Sequence, residues 1–218
     1  ILRNEPGVAE GIAVLVVDEI HYIGDDERGP TLESLISRVL SMERQPQIIG
    51  LSATIPNAVE IAGWLKAKLV VDNWRPVPLY EGVYWRGVIR YADGRERVVK
   101  QVSGIADVDL AIDCSEEGGQ SLVFSQSRRR VVQLALRAAR FSPKLNFNNV
   151  VAREAARELL DSGGPRALRE ELAHLVARGV AYHHAGLSSE QRRIVEDAFR
   201  RGGISVIYAT PTLAAGVN

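Results

Sequence analysis

The 218-residue sequence is poor in several things that would have narrowed its class at once. It has one cysteine, Cys114, so neither an internal disulfide framework nor a cysteine-rich zinc site can be built. Four histidines, His21, His174, His183 and His184, fall at no metal-ligand spacing. No apolar run approaches the roughly 18 residues needed to span a bilayer, and no signal pattern precedes the first elements. A secreted, membrane-spanning or zinc-stapled protein is thereby disfavoured, and a cytoplasmic location with no membrane partner is expected. Net charge is also absent, with 27 Lys+Arg against 27 Asp+Glu. That balance hides an asymmetry. Residues 1–75 carry 7 basic and 11 acidic side chains and residues 76–218 carry 20 and 16, so the later part is the better candidate for touching phosphates.

What remains, 46 % hydrophobic and 25 % charged residues, is the composition of an ordinary globular protein long enough for two domains. Ile12 to Val17 is a continuous apolar run ending on Asp18-Glu19 and reads as a strand buried on both faces. Leu32, Leu35, Ile36, Val39 and Leu40 recur at helical spacing. Gln47–Leu51 is a second strand, Asn57–Leu65 a helix capped by Asn57, and Leu69–Val71 a third strand. Residues 76–103 form an extended connector in which Val83–Tyr91 and Arg95–Val102 flank the hairpin signal Asp93-Gly94. From Gln120 the alternation resumes: strands at Ser121–Ser125, Val180–His183 and Ile204–Ala209, with helices at 107–116, 128–140, 153–160, 167–178 and 188–201. The expectation is an α/β chain of two partial parallel-sheet domains, 1–75 and 104–218, joined by that connector.

Asp18-Glu19-Ile20-His21 lies at the carboxyl end of a strand, where open α/β sheets place their ligands. One carboxylate there can hold Mg²⁺ while its neighbour orients an attacking water, the division of labour that nucleotide hydrolysis requires. Ser52-Ala53-Thr54 follows the next strand, and its hydroxyls can exchange partners with nearby carboxylates. Val123 to Arg128, His183 to Leu187 and Ala209 to Asn218 complete an ordered series of strand-end segments.

In that order these five segments resemble motifs II, III, IV, IVa and V of superfamily-two helicases. They are most similar to the Ski-like group and, through Asp18 to Glu33 and Ala209 to Asn218, to the archaeal Holliday-junction-migration type. The resemblance covers essentially the whole chain and implies two RecA-like domains. It also implies ATP and Mg²⁺ as cofactors, with Asp18 for the metal, Glu19 for the catalytic water, and His21, Ser52 and Thr54 for coupling. Gly216 and Asn218 match nucleotide-facing positions. Gln126, Ser127, Arg128, His184, Ala185, Gly186, Thr210 and Thr212 match residues that grip a nucleic-acid strand by its backbone. Of the histidine pair, His184 is expected to be the exposed one, because adjacent strand residues face opposite ways. Trp64 reads as a buried anchor at helical spacing from Ile61, while Trp74 and Trp85 lie near the connector.

Two family features are missing from these residues. No G-x-x-x-x-G-K-[ST] loop occurs, since Gly163-Gly164-Pro165-Arg166 lacks the lysine and hydroxyl, and no arginine-rich motif VI follows motif V. The chain therefore reads as part of a 3′-to-5′ DNA helicase acting on single-stranded or forked DNA in repair or recombination, and a Mg²⁺-ATPase assay on these 218 residues is expected to show no turnover. A Ski-like RNA helicase is the alternative within the enzyme class, and a non-catalytic nucleic-acid-binding module the alternative outside it.

Overall fold

The computed structural model describes residues 11–53, 55–141 and 149–213, the side chain of Thr212 excepted. Thr54, Gly216 and Asn218 lie outside the described residues. The chain divides into two compact units, Ile1–Val77 and Pro78–Asn218. Mixed α/β structure with two parallel sheets and one antiparallel sheet is what a partial RecA-like fold contains.

In the first unit, β1 (Val14–Val17) pairs in parallel with β2 (Gln47–Gly50), in register from Val14↔Gln47 to Val17↔Gly50. A 3₁₀ turn (Ile20–Gly24) and helix α1 (Gly29–Leu40) form the crossover, and α2 (Ala58–Trp64) follows β2. The buried core is small: Val17, Ile20, Ile36 and Leu65, with Leu15, Leu32, Leu40, Ile48, Ile61 and Trp64 packed around it. Two expectations fail here. β1 is not buried on both faces, because Val14 and Val16 are 48 % and 55 % exposed and no described element covers that side. Leu69–Val71 is not a strand, since a β segment exists only where a neighbour takes its N–H and C=O groups, and among the described residues these pair with none of the three sheets. Asn57 occupies the cap position of α2 without a side-chain capping bond.

The second unit opens with an antiparallel sheet, β3 (Gly82–Trp85), β4 (Val88–Tyr91) and β5 (Glu96–Val98). What reads in the sequence as one strand over Val83–Tyr91 is folded in two at Arg86-Gly87, whose φ angles of 47° and 87° make the left-handed two-residue turn that suits twisted hairpins. Arg97 in β5 pairs with Asp113 and Glu117, and Lys100 Nζ lies 2.8 Å from Glu116, which fastens this sheet to α3 (Ala106–Glu116). Trp85 stays 67 % exposed on the sheet and Trp74 76 % exposed, whereas Trp64 is half-buried.

The main sheet runs β6 (Ser121–Phe124), β8 (Val206–Ala209), β7 (Val180–His183), all parallel. Helices α4 (Arg128–Phe141), α6 (Arg166–Val176) and α7 (Ser189–Arg200) pack on it, and α5 (Val150–Asp161) packs on α6 and α7. With helices on its faces, β7 and β8 are buried at every residue, which explains why they are apolar but for His183. Ser188 caps α7 reciprocally: its side chain accepts the Gln191 N–H while the Gln191 side chain accepts the Ser188 N–H. Phe124, Ala209 and His183 are level across the three strands, so the residues that follow them emerge along one edge.

Candidate functional site

Parallel pairing sets the ends of β1 and β2 side by side, and the Ile20 N–H extends the match by donating to the Leu51 carbonyl at 2.9 Å. Asp18 and Glu19 leave the sheet at this point, both exposed. Glu19 has φ 51° and ψ 42°, a left-handed conformation that costs a non-glycine residue about 1 kcal/mol and is most often retained where function requires it. The Asp18 carboxylate Oδ1 accepts the Glu19 N–H at 2.9 Å. Glu19 Oε2 lies 3.3 Å from Nδ1 of His21, and Ser52 Oγ lies 3.4 Å from the same nitrogen. The Ser52 hydroxyl also donates to the Ala53 carbonyl at 2.8 Å. Four sequence-predicted residues, Asp18, Glu19, His21 and Ser52, are thus brought together, with one imidazole bridging the two strand ends.

Chemically, Asp18 offers a hard, exposed oxygen donor beside a second carboxylate. No group of three or more His, Cys, Asp and Glu side chains able to hold a metal occurs among the described residues. These two carboxylates are hard oxygen donors of the kind that can hold a divalent cation whose shell is completed by water.

A second cluster occupies the level strand ends of the other unit. Ser125 N–H donates to the Ala209 carbonyl at 2.9 Å and Thr210 N–H to the His183 carbonyl at 3.1 Å, carrying the ladder one residue past the strands. Gln126, Ser127 and Arg128 are exposed, and Ser127 Oγ accepts the Arg130 N–H at 3.2 Å at the start of α4. His184 Nδ1 accepts the Gly186 N–H at 3.0 Å. A Cβ placed on Gly186 would stand 3.0 Å from the His184 ring and 3.8 Å from an Arg128 guanidinium nitrogen, so Arg128, His184 and Gly186 are neighbours. Ala185 is exposed beside them, Thr210 is buried, and the Thr212 backbone lies in a 3₁₀ turn over Pro211–Leu213.

The histidine pair corrects the sequence reading. The two side chains take different partners, yet neither is exposed: His183 is 3 % and His184 7 % accessible. His183 Nε2 meets Glu196 of α7 at 2.9 Å, and His184 stacks on Tyr182. Burial lowers the pKa of both, outweighing Glu196 at His183 and reinforced by the Arg128 charge at His184. Tyr182 and Glu196 escaped the sequence reading. The period of two along β7 sets Tyr182 on the His184 face and was a usable signal; Glu196 comes from another element and left none.

Comparison with known proteins finds similarity to one family of enzymes. The DEAD/DEAH box helicase family matches residues 1–61. Over its full length the chain is 49 % identical to the ATP-dependent DNA helicase Hel308 of Pyrobaculum calidifontis, covering 31 % of that protein. It is 50 % identical over its full length to the Hel308 of Aeropyrum pernix, covering 30 %, and 46 % identical to that of Caldivirga maquilingensis, covering 29 %. The chain therefore spans about three-tenths of the length of the curated relatives it matches.

Proposed function

We propose, from its similarity to DEAD/DEAH box helicases over residues 1–61 and to part of the Hel308 proteins over its own whole length, that this chain is the motif II-to-V portion of an ATP-driven DNA helicase. The observation carrying this reading is the bridge between strand ends: Glu19, strained into the left-handed region, touches His21, which also meets Ser52 from the neighbouring strand. The left-handed backbone by itself holds that carboxylate at the strand end, where it can orient and deprotonate a water for attack on a γ-phosphate, and the bridge links it to the neighbouring strand. Asp18 would hold Mg²⁺, whose charge offsets that developing on the phosphates. His21 and Ser52, with Thr54 outside the described residues, would pass the loss of phosphate on to the nucleic-acid grip.

In the second unit the exposed Arg128 guanidinium and the backbone around Gly186 and Thr210 are suited to successive phosphates of one strand, with no base edge read. Gln126, Ser127, Ala185 and Thr212 would line the same track, and Gly216 and Asn218 would face nucleotide. The relatives' names support DNA over RNA as the strand; movement from 3′ towards 5′ and action on forks in repair or recombination rest on the family resemblance.

The test uses a full-length protein containing this segment. Asp18→Asn and Glu19→Gln should each lower the kcat for ATP at least about a hundredfold, the scale of a lost general base. Single-stranded DNA binding in the absence of nucleotide should be retained, whereas Arg128→Ala should weaken it and flatten its salt dependence. Wild-type turnover in the Glu19→Gln variant would overturn the reading, as would tighter binding to matched RNA than to DNA for the choice of strand.

A further inference from the structure

The stretch Gly24–Glu33 carries much of the resemblance, yet none of its residues has a task in the chemistry above. Its geometry supplies one. Asp25 Oδ1 accepts the backbone N–H groups of Glu27 at 3.2 Å and Arg28 at 2.8 Å, and its carboxylate also takes Arg28 Nε at 3.4 Å and Nη2 at 3.3 Å. The Gly29 N–H donates to the Asp25 carbonyl at 2.7 Å, and a Cβ on Gly29 would stand 2.4 Å from the Ile23 carbonyl oxygen. Glycine alone lets the start of α1 fold this tightly against the 3₁₀ turn. So tethered, the Arg28 guanidinium lies over the Tyr22 ring, 3.5 Å from its centroid. The Tyr22 ring in turn packs against the His21 imidazole, with centroids 4.7 Å apart and planes at 38°.

His21 needs such support. It sits half-buried in a five-residue turn, and its two polar contacts among the described residues, at 3.3 and 3.4 Å, converge on a single nitrogen, about which the ring can pivot. We propose that Tyr22 and Arg28 are positioning residues: the stack Asp25–Arg28–Tyr22 holds the His21 imidazole between Glu19 and Ser52, so that losing the stack separates hydrolysis from nucleic-acid stimulation. The stack removes no reacting group when broken. A planar guanidinium is required, because an ammonium cannot both lie flat on the ring and span the carboxylate. The coupling half of this proposal rests on the function assigned above; the placement of His21 does not.

Two measurements test it. In the 218-residue chain, side-chain nitrogen NMR of histidine, with His21 identified by its loss in His21→Asn, should give one well-defined ring state. Arg28→Gln, Arg28→Lys and Tyr22→Leu should shift or broaden the His21 signals alone, while Tyr22→Phe should preserve them. Tyr22→Leu leaves the Asp25–Arg28 pair intact, so it stands in should Arg28→Gln disturb folding, which the β1 and β2 amide shifts report. In the full-length protein, Arg28→Gln should leave DNA-free ATP turnover and the KM for ATP within about twofold while lowering stimulation by single-stranded DNA about tenfold, the usual effect of a supporting shell. Unchanged His21 signals in Arg28→Gln and Tyr22→Leu, a wild-type response of Arg28→Lys, or equal losses with and without DNA would each overturn the proposal. Failure of Glu19→Gln to abolish turnover would instead sink the assigned function and leave the NMR result standing.

Discussion

The imidazole of His184 lies parallel to the ring of Tyr182, with 9° between the planes and 5.3 Å between centroids. The Tyr182 hydroxyl donates to Glu171 Oε1 of α6 at 3.1 Å, and burial beside that carboxylate raises its pKa. Because His184 Nδ1 accepts the Gly186 N–H, the neutral ring carries its proton on Nε2. A helix thus braces a tyrosine, the tyrosine braces a histidine, and the histidine fixes the loop beside Arg128.

Gly186→Ala tests that chain of support. The added methyl would meet the His184 ring at 3.0 Å, so the ring or the loop must shift. Losing the Nδ1 hydrogen bond corresponds to about 1 kcal/mol and about fivefold weaker binding of a single-stranded oligonucleotide. Fluorescence anisotropy at fixed salt measures it, and an affinity equal to wild type would count against a role for this loop.

Acid should destabilise the second unit through its two buried histidines. Both have folded-state pKa values below the ordinary 6.5, so the folded chain binds fewer protons than the unfolded chain between the two values. The stabilisation is complete above pH 6.5 and is lost as pH falls from there through the folded values. Urea midpoints followed by circular dichroism from pH 7.5 to 5 should fall, and His183→Gln with His184→Gln should flatten the profile.

Ser188→Ala should cost about 1 kcal/mol by removing the cap of α7. Gln191→Ala should cost more than Ser188→Ala. The buried Gln191 amide also donates to the Gly163 carbonyl at 2.9 Å and to Ser162 Oγ at 3.3 Å, and these acceptors would lose their partner. Denaturant titration of the two variants ranks them.

The two units should differ in local stability. Among the described residues the packed core of the first is a cluster of four buried apolar side chains, whereas that of the second runs from Val108 to Leu213. Backbone amides of β1 and β2 should exchange with solvent faster than those of β8, the central strand. Ile36→Ala, emptying a fully buried site, should cost about 2–5 kcal/mol and speed exchange in the first unit alone.

Local chemistry in the sequence determined most of the elements. The apolar runs at Val14–Val17, Val180–His183 and Val206–Ala209 became strands, and Ser188 started its helix, because burial pattern and capping are properties of neighbouring residues. The proximity of Asp18 and Glu19 to Ser52 was also legible, since parallel strands bring their carboxyl ends to one edge. Tertiary structure alone decided the rest. Leu69–Val71 has strand-like composition but finds no partner backbone, and Val14 and Val16 stay exposed because nothing described covers them. His184 is buried because Tyr182 and the flanking helices enclose it, and His21 is placed by a guanidinium seven residues away. Residue type and spacing fix what a segment can do locally; pairing, burial and bridging depend on which distant segment arrives to complete them.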